Sequence, residues 1–250
     1  MSAAQAPLIE AQGLHVHVGP QALLHGVGLA IGAGERVAVV GHNGAGKSTL
    51  LRALGGFAPV SQGRLRVLDT ELAGRLPPAA LRQLRARVAQ VHQGLHLVGR
   101  RSALDNVLIG GAARCPSPGS WFGRWPAHER ASAMSALARV GMGWAASRRT
   151  DGLSGGERQK IAIARALHQG GTLLLADEPT ASLDEAAAGE VVRLLREVAD
   201  ERHVTLVCVV HDLALVPRLA DRVVALRRGA VLADMAVSEH TPARLREMLS

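Results

Sequence analysis

Apolar and polar positions follow three rhythms along the 250-residue chain. Residues 8–31 alternate, as in LHVHV and LHGVGLAI, which predicts half-exposed strands of an antiparallel sheet. GRLRVLD (63–69) repeats that rhythm. RVAVVG (36–41), TLLLADE (172–178) and VTLVCVVH (204–211) are short, nearly continuous apolar runs, which predict strands buried on both faces. Helical spacing marks KSTLLRALGGF (47–57), PPAALRQLRARVAQV (77–91), GERQKIAIARALHQ (156–169) and most of 104–152. RCPSPGS (114–120) reads as a loop within that last stretch. DRVVALRRGAVLAD predicts a closing strand pair around Arg228-Gly229. TPARLREMLS predicts a terminal helix with Thr241 as cap and Pro242 at its first position.

This order gives an α/β fold with a mainly parallel core, an antiparallel sheet near the N-terminus and an inserted helical arm. A 48% hydrophobic composition supplies a sizeable core. The net charge of +8 is carried mostly by Arg. No long basic block accompanies it, so a solvated surface is expected and no nucleic-acid partner. Cys115 and Cys208 lack metal-ligand spacing and are expected as reduced thiols. MSAAQAPLIE lacks the pattern of a signal peptide. No apolar run approaches the ~18–20 residues that span a bilayer.

GHNGAGKST (41–49) follows a buried strand and opens a helix. In that setting the backbone of Gly41, His42, Asn43, Gly44, Ala45 and Gly46 wraps a phosphate chain, and the helix N-terminus adds positive potential. Lys47 reaches the β- and γ-phosphates of a nucleotide, Ser48 ligates Mg²⁺, and Thr49 follows in the first helical turn. Asp177 and Glu178 end a buried strand, the edge where ligands of open α/β sheets gather. Asp177 is expected at the Mg²⁺ and Glu178 at the attacking water. A second glycine loop, LSGGERQ (153–159), places Ser154, Gly155 and Gly156 at another helix N-terminus, a site that attracts an anion.

These motifs, with Gln93 in VAQVHQG, SLD at 182–184 and His211, stand in the order found in ATP-binding cassette (ABC) ATPases, and the chain resembles that family over nearly its whole length. The resemblance implies a P-loop NTPase core (1–92 and 158–250) with an N-terminal antiparallel β subdomain, and a helical signature subdomain (93–157). It implies ATP and Mg²⁺ as ligands, with Gln93 beside Ser48 and Asp177 at the metal. It implies a head-to-tail homodimer in which Ser154, Gly155 and Gly156 contact the nucleotide of the opposite chain. SLD would lie at the same seam, and His211 would contact the γ-phosphate and order the water with Glu178.

Two departures from the family pattern stand out. Members commonly carry an aromatic residue before a Gly near position 18, to stack on adenine. Here Val18 stands there and the chain has no Tyr, leaving His17 or Val18 as weaker substitutes. His92 precedes Gln93 where an aromatic is frequent.

LVGRRSALDNVLIG (97–110), SWFGRWP (120–126), ALARVGM (136–142) and ALRRGAVLAD (225–234) are similar to the ATP-binding subunit of phosphonate importers. That resemblance implies a peripheral subunit on the cytoplasmic face of the inner membrane. It would work with a transmembrane permease and an extracytoplasmic solute-binding protein. Phosphite or a phosphate ester are alternative solutes. An ABC ATPase for another solute, or a non-transport member, are alternative functions. Trp121, Phe122, Trp125 and Trp144 are expected as a satellite apolar cluster stabilising the arm, or as a docking face.

Overall fold

The computed structural model describes residues 6–250 apart from Arg75, Ser117, Ser182 and the side chain of Trp121. Strands β1 (Ile9–Val18), β2 (Gln21–Ile31), β4 (Gln62–Val67) and the short β5 (Thr70–Glu71) form an antiparallel sheet in the order β2-β1-β4-β5. Their alternating apolar residues, among them Ile9, Leu14, Val16, Leu24 and Leu65, are fully buried, as a one-sided sheet requires.

The second sheet has the order β10-β9-β3-β8-β7-β6. It contains β3 (Arg36–Val40), β6 (Val88–Val91), β7 (Leu173–Asp177), β8 (Thr205–Val209), β9 (Arg222–Arg227) and β10 (Ala230–Ala236). All pairings are parallel except β9 with β10. Successive residues of β3 enter opposite cores. Val37 and Val39 pack with α1 (Lys47–Leu54) and the antiparallel sheet. Ala38 and Val40 pack towards α6 (Gly155–Gln169), α7 (Glu185–Arg202) and α9 (Thr241–Leu249). Burial on both faces explains the continuous apolar runs.

One strand was not expected. The spacing of Leu81, Leu84, Val88 and Val91 predicts a single helix, but α2 (Pro78–Arg87) stops and Val88–Val91 becomes β6. Parallel pairing with β7, Val88 opposite Leu173 through Val91 opposite Ala176, overrides the helical pattern.

The arm contains α3 (Ala103–Leu108), α4 (Pro118–Trp121) and α5 (Ala127–Arg139). The single turn α4 occupies part of the stretch expected as loop. Among the described side chains the expected aromatic cluster does not form; the Trp121 side chain lies outside them. Trp125 packs on the core, whereas Phe122 is 85% and Trp144 54% exposed. Arg148 covers the Trp144 ring at 4.7 Å. Val216–Leu219 forms α8, a single turn beside α7 and α9. Thr241 does not cap α9 but is its first residue, and its hydroxyl accepts from the Ser238 N–H at 2.8 Å. Among the described residues no helix is long and apolar enough to cross a membrane.

Candidate functional site

Parallel strands put their carboxyl ends on one edge, and the predicted residues follow those ends in sheet order. The loop 41–46 leaves β3, His211 lies two residues past β8, Asp177 ends β7 with Glu178 next, and Gln93 lies two residues past β6. Four adjacent strands thus bring together residues up to 170 positions apart, from Gly41 to His211 (211 − 41 = 170).

The glycine loop is shaped by close approaches. Gly41 has φ 148°, and a Cβ there would lie 2.3 Å from the Leu226 carbonyl. Gly46 has φ 99°, and a Cβ there would lie 2.8 Å from Leu24 Cδ2 and 2.9 Å from the Leu23 carbonyl. Neither position accepts a side chain without a shift. The turn between β9 and β10 braces the loop from behind. Gly229 donates its N–H to the Ala45 carbonyl at 3.0 Å, and His25 donates its N–H to the Gly229 carbonyl at 2.8 Å. The His42 ring contacts the carbonyl of Leu249 in α9. His42, Asn43 and Gly44 remain exposed.

No side chain caps α1. The same holds for α2, α5 and α9, whereas Ser102, Ser154 and Asp184 cap α3, α6 and α7. An uncapped helix start behind a glycine loop is suited to an anion. Lys47 is only 5% exposed and donates to the carbonyls of Gly41 (2.8 Å) and His42 (3.0 Å). Burial pulls its pKa below the usual lysine value, against the opposing pull of Glu178 and Asp177.

Ser48 donates its hydroxyl to Asp177 Oδ1 at 3.1 Å. Burial raises the Asp177 pKa, partly offset by that bond. A buried cation short of anions and a carboxyl short of cations are both relieved by a metal-bound phosphate. The hydroxyl and carboxylate form a hard-oxygen pair that fits Mg²⁺. Ser48, Gln93 and Asp177 line one cavity of about 570 Å³. The Gln93 amide, however, donates to Glu178 Oε2 at 2.6 Å, away from Asp177.

Glu178 has φ 51°, a left-handed conformation directly after the strand. Its side chain is held from two sides, by Gln93 and by His211 Nε2 at 2.6 Å from Oε1.

Ser154 accepts from the Glu157 N–H at 3.3 Å, while the Glu157 carboxylate accepts from the Ser154 N–H at 2.7 Å. This reciprocal cap uses two N–H groups of the α6 start and leaves those of Gly155 and Gly156 for any anion. Gly155 lines a cavity of about 420 Å³ with Gln93, Asp151, Arg158 and Leu183. His42–Ala45 line a different one of about 500 Å³ with Arg227 and Arg228. A Cβ on Gly155 would meet nothing within 4 Å. In SLD, Ser182 lies outside the described residues, and Asp184 accepts from the Ala187 N–H at 2.8 Å to cap α7.

Val18 is 61% exposed at the end of β1. The His17 ring lies nearly parallel to His15, centroids 6.5 Å apart.

The brace from Gly229 and His25 was missed in the sequence, where no signal marks it. The Glu157 cap was also missed, although Ser-x-x-Glu before an apolar helix announces it.

A strand, a glycine loop braced against a uncapped helix, a buried lysine and a serine–aspartate pair on one edge of a parallel sheet define a P-loop nucleotide-binding ATPase. The second glycine loop narrows the class. The chain belongs to the ABC transporter family, whose family model matches residues 24–181. It is similar to a phosphonates import ATP-binding protein of Rhodopseudomonas palustris (strain HaA2), 42% identical over 88% of this chain and 78% of the relative. It is also similar to a phosphate-import ATP-binding protein of Mycolicibacterium smegmatis, 46% identical over 83% and 79%. Among solved structures it is similar to a dimeric ATP-binding cassette in a post-hydrolysis state with ADP and Pi. That pair shares 26% identity and a TM-score of 0.81, over 92% of this chain and 99% of the other. A cassette from Clostridium perfringens, described as part of an ABC transporter complex, also gives TM-score 0.81 at 26% identity, over 97% and 92%.

Proposed function

We infer that this chain is the ATP-hydrolysing subunit of a phosphonate importer, with phosphite or a phosphate ester as neighbouring solute chemistries. Two chains pack head to tail, ATP binding closes them, and hydrolysis lets them part, a two-state switch driven by the nucleotide. The switch works a transmembrane permease from the cytoplasmic face of the inner membrane, and an extracytoplasmic binding protein delivers the solute. Residues 1–92 and 158–250 act as the nucleotide core, and 93–157 as the signature arm.

The backbone from Gly41 to Gly46, with Lys47, Ser48 and Thr49, holds the phosphates. Ser48 and Asp177 hold Mg²⁺, with Gln93 completing that site. When bound, Mg²⁺ would supply charge neutralisation for the nucleotide's phosphates at Ser48 and Asp177. Lys47 exchanges its two carbonyl partners for phosphate oxygens. Glu178 orients and accepts a proton from the attacking water, and His211 and Gln93 hold its carboxylate in place. Ser154, Gly155 and Gly156 contact the nucleotide of the opposite chain.

One observation carries the head-to-tail reading: Gly155 and the phosphate loop line separate cavities within one chain. A second chain packed head to tail would bring such a surface onto the nucleotide. The phosphonate reading is supported by the relatives' names, one of which specifies phosphate instead.

The deciding experiment reconstitutes the chain with its permease and binding protein in vesicles and measures ATP hydrolysis. Stimulation by a phosphonate at concentrations where inorganic phosphate has no effect is expected. Stimulation by phosphate alone would overturn the solute assignment while leaving the ATPase reading intact.

A further inference from the structure

The arm contains a group of donors that nucleotide chemistry does not use. Cys115, His128 and Glu129 bring ligand atoms within 4.8 Å of one another. Cys115 Sγ lies 3.7 Å and His128 Nε2 3.8 Å from the same oxygen, Glu129 Oε1. On the other oxygen, Oε2, His168 Nε2 lies at 3.1 Å. The His168 side chain is completely enclosed, and its Nε2 has no hydrogen-bond partner in bonding orientation. Its Nδ1 faces the Ser132 hydroxyl at 3.2 Å, and its Nε2 stays on the Oε2 side, outside the group formed by Cys115, His128 and Glu129 Oε1.

Arg114 already pairs with Glu129, Nε to Oε1 at 3.1 Å and Nη2 to Oε2 at 2.8 Å. That pair accounts for a buried carboxylate. It does not account for a thiol and an imidazole converging on Oε1. An ionised carboxylate offers about four lone-pair sites, and the arginine fork uses two of them. One remains on each oxygen, towards Cys115 and His128 on one side and His168 on the other.

The spacing suits a tetrahedral ion. With Zn–S near 2.3 Å and Zn–N and Zn–O near 2.0 Å, bound sulfur and oxygen lie about 3.5 Å apart, and nitrogen and oxygen about 3.3 Å. The separations of 3.7 and 3.8 Å are slightly opened edges of that figure.

The geometry points to a binding site in the arm for Zn²⁺ or a similar transition-metal ion, formed by Cys115, His128 and Glu129, with the fourth position left to water. One thiolate, one imidazole and one carboxylate select such an ion over Mg²⁺ or Ca²⁺, which take oxygen ligands. The site ties the 114–116 segment to α5. It lies apart from the nucleotide edge and serves no step of hydrolysis.

The test is titration of the full chain with Co²⁺ alone, followed by absorbance. One Co²⁺ per chain is expected, with a thiolate-to-metal band in the near ultraviolet. Cys115→Ser removes that band. His128→Gln, at a side chain 75% exposed and so harmless to folding, weakens binding by about 10-fold or more. ATP hydrolysis is unchanged in both variants. Absence of saturable binding, or equal Co²⁺ affinity in wild type and both variants, would overturn the proposal and leave Arg114–Glu129 as a plain ion pair.

Discussion

His211 Nε2 lies 2.6 Å from Glu178 Oε1. The contact exists because β7 and β8 are parallel neighbours, with Asp177 opposite Val209, so the residues just past their ends meet. With Gln93 on the other oxygen, the carboxylate is fixed by a hydrogen-bond donor on each side. A group fixed this way is already oriented when a water arrives, and the rate gains from that orientation.

Glu178→Gln removes the base. It also sets an amide N–H₂ against one of two donors, so the side chain loses a contact as well as its charge. Hydrolysis should fall by about 10²–10⁴ while ATP stays bound. Single-turnover hydrolysis and size exclusion with ATP and Mg²⁺ measure both, with a persistent dimer expected. Wild-type turnover would remove Glu178 from the role.

His211→Ala and Gln93→Ala each release one oxygen of that carboxylate. A hydrogen bond to a charged group contributes about 1.5–3 kcal/mol, so kcat should drop about 10- to 100-fold in each. The fall in kcat should exceed any loss of ATP affinity, because the contact each variant removes is to the Glu178 carboxylate. A change confined to KM would contradict the positioning role.

Gly46→Ala forces a Cβ to within 2.8 Å of Leu24 Cδ2, at a φ of 99°. Strain of this kind costs about 1–3 kcal/mol, and relief would move the loop. Lower thermal stability together with loss of ATP binding is expected from calorimetry. Unchanged binding would mean that the loop's tight fit against β2 is dispensable.

His92 carries a pH signature. Burial, then the charges of His96 and Arg165, push its pKa down to about 4, against about 6.5 in an unfolded chain. The unfolded state therefore takes up a proton first as pH falls. Stability is fully present above about pH 6.5 and is lost progressively towards pH 4. Urea midpoints should decline more steeply over that window in wild type than in His92→Asn. Parallel curves would refute the assignment.

What the sequence reveals and hides has a physical pattern. The runs at 36–41 and 204–211 are readable because a strand buried on both faces must be apolar throughout. VAQV at 88–91 is hidden because Val88 and Val91 fit the preceding helix equally well, and only its partner β7 decides. The nucleotide loop is legible because its chemistry is local. The 2.6 Å contact between Glu178 and His211 is not, since it depends on which strands are neighbours across 33 residues (211 − 178). Phe122 and Trp144 show the limit of composition: aromatic content predicts a core, yet both face solvent.

The central claim is that LSGGERQ acts on the nucleotide of the opposite chain, and mixing two inactive variants tests it most directly. Gly155→Asp puts a carboxylate where the γ-phosphate of the opposite chain would lie. The substitution meets nothing within 4 Å of its Cβ in the single chain. Lys47→Ala removes the cation of the phosphate loop. Each variant alone should be inactive, and Gly155→Asp should still bind ATP as a monomer. In a mixed dimer one site carries both lesions and the other pairs an intact phosphate loop with an intact signature. ATP-dependent heterodimer formation with recovered hydrolysis on mixing is the expected result. Loss of ATP binding by the Gly155→Asp monomer, with no heterodimer on mixing, would show that the loop serves its own chain and contradict the account.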